Sequence, residues 1–357
     1  MILRILVRSP NWVGDQVLAY PFFYWLRKRY PQAHITSACA SWVESIQFRD
    51  LVDDVIPLDR PTDTTLSAKW RALESSAARL RDQKWDLAYA LPPSFSAAWL
   101  LKRAGAQKRV GYPGDMRSLL LTRRVRRAPG VIHRAQEYVN LIEGESGWAQ
   151  DFWPQLPNPE FHADAGKAGV LQHFDHKKSW PGFERFGATV KDYWVLAPGS
   201  MAESRRWSVD AFLSLTSLIH AETGWPGLIV GGPTEAPLGQ QLASRAGSKL
   251  SDWTGQGAIP SFSEIFSNAR FTVSNDSGLA HVASLSGSPT CVVWGAGEPK
   301  RTAPLGPGQV RLVASAPECW PCEQNTCALP GDKRLQCLKA IDPTRVWTEI
   351  SRGFLSG

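Results

Sequence analysis

The sequence lacks any run of eighteen apolar residues, so we predict no membrane-spanning helix. Its start, MILRILVRSP, is too short and too charged for a secretory signal, so we expect a cytoplasmic protein. Short internal repeats, low-complexity tracts and nucleic-acid-binding motifs are also missing. What remains is a chain of 357 residues, 43% hydrophobic and 20% charged, which is typical of a globular protein with two domains.

Positive charge is concentrated in the first half of the chain. Residues 1–155 contain 22 Lys and Arg against 15 Asp and Glu, a net charge of +7, whereas the remainder contains 18 of each. An excess of this kind indicates an anionic partner, which could be nucleic acid, a phosphorylated glycolipid or a membrane surface. A basic face that serves only solubility is the alternative.

Strand-like and helix-like segments alternate through both halves. Apolar segments such as HITSACA and YWVLAPG are followed by amphipathic stretches such as LSAKWRALESSAARLRDQKW, a pattern that predicts parallel, doubly wound sheets. Residues 155–190 interrupt the pattern with Pro, Gly and polar residues, so we place the linker there. The predicted fold class is α/β, with Rossmann-like domains at 1–170 and 171–357 that face each other across a cleft. The final helix, VWTEISRGFL, can also pack back on the first domain.

Asp15 is the candidate catalytic residue of the first half. It lies in Asn11-Trp12-Val13-Gly14-Asp15, between the first predicted strand and the first helix. A carboxylate at a strand end can act as a general base toward a hydroxyl. The simpler alternative is that Asp15 caps the helix.

Three turns of the second half carry candidate ligand-binding residues. Ser200 and Arg205 belong to APGS and SRRW, where a glycine turn and two arginines suit a diphosphate. Glu235 ends GGPTE and could hold ribose hydroxyls, although a surface Glu is the simpler interpretation. The third turn, SNDSGLAH, opens a helix whose first N–H groups could meet a phosphate. Its candidates are Asp276, Ser277, Gly278 and His281.

Together these segments resemble glycosyltransferase family 9, the ADP-heptose:lipopolysaccharide heptosyltransferases. NWVGDQVL is similar to the N-terminal W-x-G-D signature of that family, and APG…RRW, GGPTE and SNDSGLAHVA match in order along the second half. LPPSF and RVGYPGDMRSLLL are most similar to the heptosyltransferase II pattern. The resemblance covers nearly the whole chain and implies a GT-B fold.

The resemblance also implies the reaction and its residues. It implies inverting transfer of heptose from ADP-heptose to the Kdo/heptose–lipid A inner core of lipopolysaccharide, without a metal or other cofactor, and with Asp15 as the base. The residues implied for the donor are Ser200, Arg205, Glu235, Asp276, Ser277, Gly278 and His281, and those implied for the acceptor are Asn11, Arg109 and Arg117. The family usually has Lys where Arg205 stands.

A basic run supports an anionic acceptor independently of the resemblance. Six arginines lie within residues 117–134, and they could attract a phosphorylated glycolipid at the inner face of the cytoplasmic membrane. With no nucleic-acid motif beside them, we expect the glycolipid rather than RNA or DNA.

Four cysteines follow near the C-terminus, in the spacing Cys319-x2-Cys322-x4-Cys327-x9-Cys337, away from the motifs. They could hold a structural zinc, form disulfides or remain free thiols, and we expect a structural role.

Two alternatives to a heptosyltransferase remain at this point. One is another GT-B enzyme that uses a different nucleotide sugar, either as a transferase or as an epimerase. The other is a family member without catalysis that binds nucleotide sugars or glycolipid. Retention of Asp15 argues against the second, because binding alone does not require a base.

Overall fold

The computed structural model describes residues 2–143 and 192–355, which form two compact units. The predicted domain boundary at 170/171 and the predicted linker 155–190 lie outside the described residues. Each unit contains one six-stranded sheet in which every described strand pairing is parallel, so the predicted α/β class is confirmed.

The first unit carries its sheet in the order β3-β2-β1-β4-β5-β6. Its strands are β1 Arg4–Arg8, β2 His34–Ala40, β3 Asp54–Leu58, β4 Leu87–Ala90, β5 Lys108–Gly111 and β6 Arg123–Arg124. Its helices are α1 Val13–Leu18, α2 Tyr20–Arg29, α3 Leu66–Arg81, α4 Phe95–Arg103 and α5 Arg134–Glu143, with 3-10 turns at Ser41–Ile46 and Arg117–Leu119. The central strand β1 is buried because apolar side chains point to both faces, as a doubly covered parallel sheet requires.

The second unit repeats this architecture in the order β12-β11-β10-β7-β8-β9. Its strands are β7 Trp194–Ala197, β8 Gly227–Ile229, β9 Leu250–Asp252, β10 Thr272–Asn275, β11 Thr290–Trp294 and β12 Val310–Ala314. The helices are α6 Val209–Thr223, α7 Ala236–Ala246, α8 Ile259–Asn268, α9 Gly278–Leu285, α10 Pro299–Thr302, α11 Gln336–Lys339 and α12 Pro343–Ile350. The 3-10 turns are Glu203–Arg205, Pro233–Glu235, Gly247–Lys249 and Gly331–Lys333, and a π-helical turn covers Ser351–Leu355.

Side-chain caps fix where several helices begin. The hydroxyl of Ser94 accepts a hydrogen bond from the N–H of Ala97 at the start of α4. Ser208 does the same for α6 through the N–H of Ala211. Each of these helices follows a strand, so its cap lies toward the carboxyl end of the sheet.

The last helix belongs to the core of the second unit. Val346, Trp347 and Ile350 of α12 are buried in the apolar cluster that also contains Phe271 and Val293. These residues of the helix thus pack within the second unit, and a contact of this helix with the first domain stays a prediction. Among the helices of the two described units, none is long and apolar enough to cross a membrane.

Candidate functional site

Asp15 lies in the first turn of α1, directly after the carboxyl end of the central strand β1. The helix begins at Val13 and its N-cap residue is Trp12, so the alternative that Asp15 caps the helix is wrong. Asp15 is partly exposed. Burial, and after it the negative charge of Asp15, raises the pKa of Tyr138 on α5, which places this carboxylate close to that phenol.

The turn that carries Asp15 is held by two donors. A guanidinium nitrogen of Arg8 donates to Oδ1 of Asn11 at 2.5 Å, and the indole N–H of Trp42 donates to the carbonyl of Asn11 at 2.6 Å. The side chain of Arg8 is buried, and burial lowers its pKa to about 10. These contacts give Asn11 a positioning role in the turn, and its predicted role with the acceptor stays a prediction.

Arg109 and Arg117 brace the segment after β5. The guanidinium of Arg109 donates to the carbonyls of Leu120 and Ala106, each at 2.6 Å. Arg117 is buried and donates to the carbonyls of Tyr112 and Pro113 at 2.7 and 2.9 Å. Since each guanidinium already binds backbone carbonyls, we expect both residues to shape this segment, and contact with an acceptor stays a prediction.

In the second unit, Glu235 lies against the glycine turns after β7 and β8. Its Oε2 accepts a hydrogen bond from the N–H of Gly232 at 2.6 Å. A Cβ atom at Gly199 would lie 1.3 Å from Oε1 of Glu235, so this approach requires glycine. Burial raises the pKa of Glu235, opposed by the Gly232 hydrogen bond and by Arg206. Glu235 is therefore a partly buried residue of this edge and not a surface Glu.

Gly199→Ala is expected to displace Glu235 and to raise the KM for the donor about tenfold or more, because the new Cβ would overlap the carboxylate. Gly232→Ala is the matched control, since its nearest neighbour, Oε2 of Glu235, would lie 3.8 Å from the new Cβ and its φ is −73°. Steady-state kinetics of both variants with varied donor measure the difference. An equal KM in the two variants would contradict the assignment of Glu235 to the donor.

Arg205 and Asp276 form an ion pair at the carboxyl end of β10. The guanidinium Nη1 lies 3.3 Å from Oδ2 of Asp276, whose side chain is only 3% exposed. Burial raises the pKa of Asp276 to about 6, and the charge of Arg205 opposes that shift. Within the described residues, Nε of Arg205 and Oδ2 of Asp276 are buried and have no hydrogen-bond partner. Such atoms are costly unless a ligand binds them, which favours a functional site.

Two glycines after β11 allow this pair to be enclosed. A Cβ at Gly297 would lie 2.6 Å from Oδ2 of Asp276, and a Cβ at Gly295 would lie 2.2 Å from the carbonyl of Ser204. The turn after β11 therefore closes over the pair on one side. This enclosure contributes to the burial that raises the pKa of Asp276.

Asn275 is a site residue that sequence reasoning missed. Its amide nitrogen donates to the carbonyl of Pro198 at 2.6 Å, and its Oδ1 accepts from the N–H of Trp207 at 3.1 Å. It thereby ties the turn after β7 to the loop that carries Arg205. The available signal was a polar residue at the end of an apolar strand, directly before Asp276.

The N-terminus of α9 lies directly after Asp276 and beside the turn that carries Ser200. Ser277 is its N-cap, but the Ser277 hydroxyl lies 3.3 Å from that of Ser274 and does not cap the helix. The hydroxyl of Ser200 donates to the carbonyl of Asp276 at 3.2 Å, which joins the turn after β7 to this helix end. Ser277 and Gly278 are partly exposed, whereas His281 is buried one turn further along. The structure thus brings the predicted donor residues together, with helix N–H groups available to an anion.

Asp276→Asn is expected to stabilise the protein at pH 7.5. The pKa of Asp276 rises from 3.8 to about 6 on folding, so the native state holds this proton more tightly than the unfolded chain. The free energy of unfolding therefore falls as pH rises from about 4 to 6, by up to about 3 kcal/mol, and the cost persists above that range. The neutral amide of the variant removes this cost of holding a charged carboxylate in a buried position. Urea unfolding at pH 7.5 and pH 4 should show a gain for the variant only at the higher pH. The exposed Asp210→Asn is the control, and a gain at both pH values would contradict the argument.

The four-cysteine segment braces the loop that carries Arg205. The carbonyl of Asn325 accepts from the N–H of Ser204 at 3.1 Å, and Arg334 pairs with Glu203. The expectation that this segment lies away from the motifs was therefore wrong, because the chain returns to them after β12. All four cysteines are free thiols, and burial, with the other three thiols, raises the pKa of Cys337. Within residues 2–143 and 192–355, no group of three or more His, Cys, Asp or Glu is placed to hold a metal ion.

Comparison with known proteins identifies the family. The model of glycosyltransferase family 9 (heptosyltransferase) matches residues 74–332. Lipopolysaccharide heptosyltransferase 2 of Escherichia coli is 27% identical over 319 residues, covering 85% of this chain and 86% of that protein. Lipopolysaccharide heptosyltransferase 1 of Pseudomonas aeruginosa is 26% identical over 311 residues, covering 82% and 79%.

Solved structures agree with this assignment at the level of the fold. E. coli ADP-heptose LPS heptosyltransferase II superposes with a TM-score of 0.75 at 22% identity and covers 99% of both chains. A family 9 glycosyl transferase of Veillonella parvula gives 0.76 at 18% identity, over 99% of this chain and 98% of that one. The α/β architecture is thus that of the GT-B heptosyltransferases. Since the family model spans well over half of the sequence, the chain belongs to glycosyltransferase family 9, the heptosyltransferases, and is a glycosyltransferase.

Proposed function

We propose that this enzyme transfers heptose from ADP-heptose to the inner core of lipopolysaccharide, on a Kdo/heptose–lipid A acceptor. One observation carries the proposal: Ser200, Arg205, Glu235 and Asp276 converge with the open N-terminus of α9 at one edge of the second sheet. An edge with arginine side chains, helix N–H groups and a carboxylate among glycine turns suits a nucleoside diphosphate.

The roles of the donor residues follow from this arrangement. Arg205 and the first N–H groups of α9 would bind the diphosphate and neutralise the charge that grows on it as it leaves. Glu235, held against Gly199, would accept hydrogen bonds from the ribose hydroxyls. Asp276 keeps Arg205 in place until the phosphates supply the hydrogen bonds that its Nε lacks.

The proposed chemistry is a single displacement. Asp15 accepts the proton of the acceptor hydroxyl while that oxygen forms a bond to the anomeric carbon of the heptose. The bond from this carbon to the diphosphate oxygen breaks, its electron pair leaves with ADP, and the configuration inverts. The step needs no metal because cationic and N–H groups take up the charge on the leaving group.

The names of the relatives and the charge of the first unit support the choice of acceptor. The E. coli and P. aeruginosa relatives are named for lipopolysaccharide. Residues 1–155 carry a net charge of +7, which would attract an acceptor rich in phosphates and carboxylates. We accordingly propose a cytoplasmic enzyme that works at the inner face of the cytoplasmic membrane.

The test offers purified enzyme ADP-heptose, UDP-sugars and GDP-sugars, each with a Kdo–lipid A acceptor, with and without EDTA. We expect ADP release with ADP-heptose, unaffected by EDTA, together with a product heavier by one heptose. Release of UDP or GDP instead would establish a transferase for another nucleotide sugar. Donor binding with no transfer to any acceptor would favour the non-catalytic alternative.

A further inference from the structure

Two large apolar side chains project from the turn that follows β5. Met116 and Leu119 are each 73% exposed, whereas their neighbours Arg117 and Leu120 are buried. Met116 precedes a 3-10 turn, and the N–H of Leu119 donates to the carbonyl of Met116 at 3.2 Å. Residues three apart in such a turn lie on the same side, so the two side chains form one apolar surface. We name it the Met116/Leu119 tip.

The tip is rigid. Arg117 is buried beneath it and donates to the carbonyls of Tyr112 and Pro113 at 2.7 and 2.9 Å, and to Asp115 at 2.7 Å. Asp115 and Met116 adopt left-handed backbone angles, with φ of 42° and 57°, which L side chains such as Met rarely adopt. The fold thus holds two apolar side chains in water on a strained turn. An outlier of this kind indicates a functional surface.

Cations flank the tip. Arg123, Arg124 and Arg126 are exposed, and Nε of Arg124 donates to the carbonyl of Ser118 inside the turn at 2.9 Å. Asp115 is the one acidic residue between positions 113 and 131, and it is paired with Arg117. The surface therefore combines an apolar tip with several exposed arginines. That combination suits the headgroup region of an anionic bilayer, where cations meet lipid phosphates and short apolar side chains enter the acyl boundary.

The position of the tip in the sheet also suits contact with a bilayer. The tip follows the carboxyl end of β5, and the turn with Asp15 follows the carboxyl end of β1 in the same parallel sheet, with β4 between them. Both turns therefore lie at one edge of the sheet. If the acceptor is a lipid-anchored glycan, which rests on the proposed function, a membrane contact at this edge would present the glycan close to the base.

We propose that the Met116/Leu119 tip inserts into the interfacial region of an anionic bilayer and docks the first unit on the membrane. The test is sedimentation of the full-length enzyme with phosphatidylcholine vesicles that contain about one third phosphatidylglycerol, compared with pure phosphatidylcholine. Wild-type enzyme should bind the anionic vesicles, and added salt should weaken that binding.

The double variant Met116→Ser, Leu119→Ser should bind at least about tenfold more weakly, because most of the inserted apolar surface is lost. Leu66→Ser is the matched control: Leu66 is 81% exposed, lies on α3 and should be dispensable for vesicle binding. Since all three side chains are exposed, both variants should keep the thermal unfolding midpoint of the wild type. Unchanged vesicle binding by the double variant, or loss in both variants, would overturn the proposal.

Activity separates this proposal from the proposed function. With a lipid-free core oligosaccharide as acceptor, the double variant should match the wild type, and with vesicle-embedded acceptor it should be slower. An equal loss on both acceptors would overturn a docking role for the tip. Wild-type enzyme that binds vesicles through the tip but transfers no sugar would leave the membrane contact standing and contradict the proposed function.

Discussion

Asp15→Asn is expected to reduce kcat about a thousandfold while the Kd for the nucleotide-sugar donor changes less than about twofold. The amide keeps the shape of the side chain but cannot take a proton from the acceptor hydroxyl. The residues proposed for the donor all lie in the second unit, so the substitution leaves their contacts with one another unchanged. Single-turnover kinetics and donor titration by calorimetry measure the two quantities.

The structural alternative for Asp15 makes a different prediction. A first-turn carboxylate that only complements the dipole of α1 contributes about 0.3–1 kcal/mol to the free energy of unfolding and nothing to the rate. Asp82→Asn is a suitable control, because Asp82 is exposed at the C-terminal end of α3. Normal turnover in Asp15→Asn, or parallel losses of stability, donor binding and turnover, would remove Asp15 from its role as base.

Arg205→Ala is expected to lower kcat/KM by about a hundredfold to a thousandfold, since a partly buried cation at the proposed place of the leaving diphosphate acts most strongly in the transition state. The loss should appear in kcat as well as in KM, because the charge on the diphosphate grows during the step. Part of the effect comes from Asp276, because the variant leaves this buried carboxyl group without the cation that lowers its pKa.

Two further variants make the Arg205 prediction specific. Arg205→Lys should retain activity within about tenfold of the wild type, because the positive charge is preserved and the family that the sequence resembles usually has Lys at this position. Arg245→Ala removes an exposed arginine paired with Asp210 in the same unit and should leave kinetics unchanged. Equal activity of Arg205→Ala and the wild type would contradict the donor site. Complete loss in Arg205→Lys would show that fork geometry, and not charge alone, is required.

Local patterns predicted most of the fold. HITSACA is the strand His34–Ala40, and the amphipathic stretch after residue 65 is the helix Leu66–Arg81. Such segments could be predicted because apolar periodicity and capping act within a few residues. The sequence analysis did not predict the two-residue strand Arg123–Arg124. Both residues are exposed and charged, and the strand is defined by its pairing with β5. Pairing of that kind has no local signal.

The sequence by itself determined the α/β class, the family and the turns that carry Asp15, Arg205, Glu235 and Asp276, because each follows an apolar strand and turn residues mark its place. Only the tertiary structure decided that Glu235 lies against Gly199, that Asp276 is buried beside Arg205, and that the four-cysteine segment supports the same loop. The structure also shows that Arg117, a predicted acceptor residue, is buried and braces the turn that carries the exposed apolar tip. These properties depend on contacts between residues far apart in the chain. Burial and pKa arise from the sum of such contacts, and they become defined only when the sheet brings its strand ends together.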